Sequence, residues 1–114
     1  MKIEVLYFKG CPNHQPTVEQ VRQALSAERV TQVVEEIEVR DASMAQALGF
    51  LGSPSVRVNG LDIEKDARDA QEVGFGCRTY IDADRRSGIP SVELIRKALV
   101  EASDSHPNGQ GEPA

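Results

Sequence analysis

Tryptophan is absent from this chain, and three phenylalanines and two tyrosines are all its aromatic residues. No RNA-binding aromatic motif occurs among them. The formal net charge of −5 argues against general nucleic-acid binding, which leans on Lys and Arg at phosphates. Long apolar runs are missing too: none approaches the roughly 20 residues of a membrane-spanning helix, so no membrane is expected as a partner. The start, Met1-Lys2-Ile3-Glu4, has no signal-peptide pattern, because its apolar run is short and broken by charge. A cytoplasmic location is therefore the default expectation. Two cysteines, Cys11 and Cys77, are too few for a secreted disulfide framework. In a reducing compartment they read as thiols, or as a transient catalytic pair, rather than as a permanent staple. The acidic run from Glu64 to Glu72 lacks the ligand spacing and central glycine of a calcium loop and reads as a solvated helix face. No internal repeat is visible.

What is present suits one soluble domain of 114 residues with a single hydrophobic core. Residues 2–8 read as a strand. Val18, Val21, Ala24 and Leu25 fall at helical spacing, which predicts an amphipathic helix over about 12–28. Val33, Glu35, Ile37 and Val39 alternate as a second strand. Asp41 is placed to cap a short helix through Met44, Ala45, Ala47 and Leu48, and Gly49 to end it. Val56 and Val58 alternate with Ser55 and Arg57, Asn59-Gly60 supplies a two-residue hairpin turn, and Leu61 and Ile63 return as the partner strand. Ser91 caps a last helix carrying Val92, Ile95, Ala98, Leu99 and Ala102 on one face. Leu48, Phe50, Val56 and Leu99 belong to the core. Residues 103–114 carry Ser, Pro, Gly, Asn and Gln and read as a disordered tail. Residues 64–90 stand outside this pattern: a short helix around 66–73, a break at Gly74-Phe75-Gly76-Cys77-Arg78, then a solvated loop from Asp82 to Gly88.

The chemistry-bearing stretch is Lys9-Gly10-Cys11-Pro12-Asn13-His14, a thiol set between a strand and a helix start. Beside the positive end of a helix dipole such a thiol favours its thiolate. The helix start is ambiguous. Thr17-Val18-Glu19-Gln20 reads as a capping box with Pro16 just before it, whereas a start at Pro12 places Pro16 inside the helix, where it should kink it. His14 is three residues from Cys11, on the same face if both are helical. It is a candidate to modulate the thiolate or to share a soft metal, or else a solvated polar residue. Cys77 pairs with Cys11 only if their Cα atoms lie within about 7 Å; otherwise it is an unpaired thiol. Arg78 beside it serves a thiolate or a bound anion, or is solvated. Phe75 and Tyr80, if exposed, would mark a docking surface.

Strand, Gly10-Cys11-Pro12-Asn13-His14, helix, then Gly52-Ser53-Pro54 ahead of a hairpin: this order resembles the thioredoxin/glutaredoxin superfamily over about residues 2–63 and 91–101. The resemblance implies an α/β, three-layer thioredoxin-like fold, β-α-β-α-β-β-α, with a mixed four-stranded sheet. A loop or short helix (64–90) is inserted before the last helix of a single domain over residues 1–102. It favours the helix start at Pro12. It makes Cys11 the active-site cysteine and Pro54 a cis-proline facing it. Ser53 becomes the residue whose backbone contacts a bound thiol substrate, with Pro12 and Asn13 beside the docking site. The family's second cysteine is His14 here, so the motif is CxxH: exchange is monothiol, or Cys77 resolves it. A second, shorter resemblance, through Val73-Gly74-Phe75-Gly76-Cys77-Arg78-Thr79-Tyr80, is to organomercurial lyases, which pair a thioredoxin-like cysteine with one in a Gly/Phe-rich stretch. The aspartate that follows the first cysteine in those enzymes is missing here.

The leading expectation is a thiol–disulfide oxidoreductase acting on a thiol or disulfide substrate through Cys11, with Cys77 and His14 as auxiliary groups and no cofactor. One rival is a binding protein in which Cys11 and Cys77, with or without His14, capture a soft cation such as Hg(II) or Cu(I), or an organomercurial. The other is a thioredoxin-like interaction module without thiol chemistry.

Overall fold

The computed structural model describes residues 1–68, 73–82 and 85–104. It is a mixed α/β architecture. Strand β1 (Ile3–Tyr7) leads into helix α1 (His14–Ala27), then come β2 (Val34–Glu38), helix α2 (Ala42–Leu48), β3 (Leu51–Ser53), β4 (Ser55–Val58) and β5 (Leu61–Asp62). The strands β6 (Gly74–Cys77), β7 (Tyr80–Asp82) and β8 (Arg85–Ser87) follow, and helix α3 (Val92–Asp104) closes the order. The main sheet is four-stranded, in the order β2-β1-β4-β5. β1 pairs parallel with β2 and antiparallel with β4, as a helical crossover followed by a later hairpin requires. No helix among the described residues is long and apolar enough to cross a membrane.

Alternation along β1 divides the core. Ile3 and Val5 join Val18, Val21, Ala24 and Leu25 of α1, Val56 and Val58 of β4, and Ile95, Ala98 and Leu99 of α3. Leu6, pointing the other way, joins Val39, Ala45 of α2 and Phe50. Helices therefore cover both sheet faces, and each fully buried aliphatic or Phe side chain stabilises the fold by about 1.5–3 kcal/mol.

Local signals set the ends. The Asp41 carboxylate accepts from Met44 N at 2.8 Å, and Gly49, at φ 63°, closes α2 in the left-handed region. Asn59 and Gly60 have φ of 54° and 83°, the pair of positive values that a two-residue turn between twisted strands demands. Ser91 Oγ accepts from Leu94 N at 3.0 Å at the head of α3.

Several expectations are corrected. Helix α1 begins at His14, with Asn13 as its N-cap, so neither Pro12 nor Thr17 starts it. Thr17 N makes the first α-helical bond, to Asn13 O at 3.1 Å. Pro16 thus lies among the leading residues whose N–H groups have no partner in any helix, and the missing donor costs nothing. Thr17 is fully buried, its hydroxyl without a partner among the described residues, so it forms no capping box.

The 64–90 stretch is not a loop with one short helix. A 3₁₀ turn spans Lys65–Ala67, and the remainder of the expected helix, 69–72, lies outside the described residues. β6 then pairs parallel with β3, and β7 pairs antiparallel with β8 where a solvated loop was expected; residues 83–84 between them lie outside the description. Tyr80 is a core residue, not an exposed marker. Ser103 and Asp104 belong to α3, and the rest of the expected tail, 105–114, is likewise outside the described residues.

Candidate functional site

Cys11 lies in the turn between β1 and α1. Its N–H donates to Phe8 O at 3.2 Å, and its carbonyl accepts from His14 N at 3.3 Å. Gly10, at φ +85°, reverses the chain ahead of it. Because Cys11 precedes the helix, the shared helical face proposed for Cys11 and His14 does not form. His14 instead turns toward the sheet. Its ring stacks on Tyr7, with centroids 3.6 Å apart and planes inclined by 7°, and its Nε2 pairs with Glu36 Oε1 at 2.7 Å. Asn13 packs against Gly88, the residue after β8, where an added β-carbon would collide with Asn13 Nδ2.

The Cys11 turn is tied to the segment ahead of β4. Phe8 N donates to Ser53 Oγ at 3.2 Å, so Phe8 links Cys11 through its carbonyl and Ser53 through its amide. The Ser53–Pro54 peptide bond is cis. β6 pairs with the same segment, with Cys77 in register with Ser53. Both cysteines are free thiols, and their exposure is unequal: Cys11 is buried at 9 % and Cys77 is exposed.

Beneath this segment is a charge cluster around Arg78, which was expected to serve a thiolate or an anion or to be solvated; Glu64 was expected on a solvated face, and Asp62 was not singled out. Arg78 donates to Asp62 Oδ2 at 2.6 Å and Oδ1 at 2.7 Å, to Glu64 Oε1 at 3.1 Å and to Ser55 Oγ at 3.2 Å. Only 7 % of the Arg78 side chain and 4 % of the Asp62 side chain are exposed. The guanidinium carbon stands 4.5 Å over the Tyr80 ring, and the Tyr80 hydroxyl donates to Pro54 O at 2.5 Å. Burial works against the Arg78 charge, but the Asp62 and Glu64 carboxylates outweigh it and raise its pKa above the ordinary arginine value. Burial, helped by the two carboxylates and opposed by Arg78, raises the Tyr80 phenol, so it stays a neutral donor. No local sequence signal announces this cluster: along Arg78, Thr79, Tyr80, Ile81, Arg78 and Tyr80 are buried while Ile81 is 55 % exposed, the reverse of what hydropathy reads.

No family model, curated protein or solved structure matches this chain. The site must therefore be read from its own chemistry. Among the described residues no three or more His, Cys, Asp or Glu side chains gather as a metal site, so Cys11, His14 and Cys77 do not form one. What the fold does bring to one place is Ser53–Pro54, the turn bearing Cys11 and the strand bearing Cys77. Pro12 and Asn13 flank Cys11 in that turn.

Proposed function

We propose that this chain is a thioredoxin-like thiol protein that carries out thiol–disulfide exchange through Cys11. The observation that carries the reading is the pair of bonds through Phe8, which ties the Cys11 turn to Ser53, the residue in register with Cys77. The β1-α1-β2 crossover and the β4–β5 hairpin after Pro54 support the thioredoxin-like assignment. In the reaction the Cys11 thiolate attacks one sulfur of a disulfide R–S–S–R′. The S–S bond breaks, R′S⁻ leaves and takes a proton, and Cys11–S–S–R remains. A low-molecular-weight thiol then attacks the R sulfur and returns the Cys11 thiolate. In the alternative resolution Cys77 attacks the Cys11 sulfur and releases RS⁻, and two external thiols reduce the resulting Cys11–Cys77 disulfide. His14, held between Tyr7 and Glu36, orients the start of α1 behind the thiol.

The test is disulfide exchange in the intact chain, in Cys11→Ser and in Cys77→Ser, together with the alkylation rate of each cysteine by mass spectrometry. Cys11→Ser is expected to abolish exchange, and Cys77→Ser to lower it if Cys77 resolves. Full exchange in Cys11→Ser refutes the reading. If exchange is absent but a soft cation is bound one-to-one and lost in either variant, the thiols serve capture instead.

A further inference from the structure

An extended polypeptide can be gripped as an added strand, with main-chain groups of an open sheet edge completing a ladder with it. In the thiol-exchange reading that edge is the one beside Ser53. Here the chain has filled it with its own strand. Gly74 N donates to Phe50 O and Arg78 N to Ser53 O, each at 2.9 Å, and β6 lies parallel to β3 between them. Other polar groups nearby are also engaged. Gly52 O accepts from Ser55 Oγ at 2.6 Å, Ser53 Oγ from Phe8 N at 3.2 Å and Pro54 O from Tyr80 Oη at 2.5 Å.

The two strands approach closely. A β-carbon on Gly52, whose φ of +116° already favours glycine, would lie 3.0 Å from Arg78 Cβ and 3.1 Å from Gly76 O. Nor is β6 laid on loosely, since it runs directly into the buried Arg78–Asp62 pair. A peptide would have to break that pair to take its place. Cys11 itself is 9 % exposed, so little of it is in contact with solvent.

We infer that the substrates of Cys11 are low-molecular-weight disulfides and not disulfides carried on extended polypeptide, because β6 is a resident occupant of the strand-docking edge. This rests on the thiol-exchange reading and adds the substrate class to it. The balanced reaction is R–S–S–R′ + R″–SH giving R–S–S–R″ + R′–SH. Both substrate and co-reactant are small, and Cys11 carries the R–S group between them.

The experiment compares kcat/KM for bis(2-hydroxyethyl) disulfide and for insulin at equal disulfide concentration, with reduced glutathione as the co-reactant. At least a ten-fold preference for the small disulfide is expected, with insulin turned over no faster than by Cys11→Ser. Gly74→Pro removes the donor to Phe50 O from β6 at a position where an added β-carbon meets nothing nearer than 3.8 Å. It should lower that preference at least five-fold. Amide exchange in the unaltered chain gives a readout independent of turnover: the Gly74 and Arg78 N–H groups are expected to be protected at least a hundred-fold. Insulin turnover within three-fold of the small disulfide, or unprotected amides at those residues, overturns the substrate class while thiol exchange stands. No exchange with either substrate overturns thiol exchange and this inference with it.

Discussion

Cys11 and Cys77 stand on walls built from different materials. The strand and helix that flank Cys11, β1 and α1, rest on an aliphatic core, where Val5, Val18, Val21, Val56, Ile95 and Leu99 exclude water from one another. Behind Cys77 lies a guanidinium held by two carboxylates, a serine hydroxyl and the face of a tyrosine. The aliphatic wall is non-directional, so losing one methyl weakens it by a little. The ionic wall has few members, each satisfied by the others, and removing one leaves a buried charge or acceptor stranded. A protein can thus tie two thiol-bearing segments to one short stretch and still give them supports that fail in different ways.

Breaking the ionic wall should have the largest effect. Arg78→Met strands Asp62 and is expected to cost about 3–5 kcal/mol in urea denaturation. Adding Asp62→Leu to it should restore most of the loss, and a double variant no better than the single one would contradict the assignment of that loss to a stranded charge. Tyr80→Phe keeps the ring under Arg78 but deprives Pro54 O of its donor. It is expected to cost about 1–3 kcal/mol, read by thermal melting. On the aliphatic wall Ile95→Val should cost only about 0.5–1.5 kcal/mol in the same melts. A larger loss than that of Tyr80→Phe would erase the contrast between the walls.

The smallest effect belongs to the surface pair of Arg68 with Glu101, joined at 2.8 Å and 3.0 Å. The hydrogen bonds from Arg68 lower the Glu101 carboxyl below its usual range, with Lys65 adding attraction. A carboxylate lowered in the folded state contributes stability above its unfolded pKa, about 4.3, and loses it as pH falls through the folded value. The small stability gap between the unaltered chain and Glu101→Gln should therefore be full at neutral pH and close in acid. It should also shrink in high salt, which the buried Arg78 pair should resist.

The same contrast explains what could be read in advance. Helices and strands supported by aliphatic spacing were legible: Val18, Val21, Ala24 and Leu25 announce α1, and Asp41, Gly49, Asn59-Gly60 and Ser91 mark ends where a side chain or a positive φ does a local job. The turn carrying Cys11 was legible for the same reason. The Arg78 cluster was not, because burial of a charge depends on partners that the chain supplies from Ser55, Asp62 and Glu64, and no local pattern announces them. β6 escaped notice because Gly74 and Gly76 read as breakers, although β6 pairs with β3, where it is Gly52 that the close approach requires. The start of α1 was misplaced by a proline that is harmless in a first turn and disruptive one turn later.

The stacking of Tyr7 on His14 has a practical consequence. With no tryptophan to dominate the emission, the protein's near-ultraviolet fluorescence comes from Tyr7 and Tyr80 alone. One ring lies against the imidazole that opens α1, the other beneath the guanidinium that anchors β6. Tyr80→Phe therefore leaves a single intrinsic fluorophore on the Cys11 side, and Tyr7→Phe leaves one on the Cys77 side. Each half of the thiol site carries its own optical reporter, and the order in which the halves loosen on heating can be followed without a label.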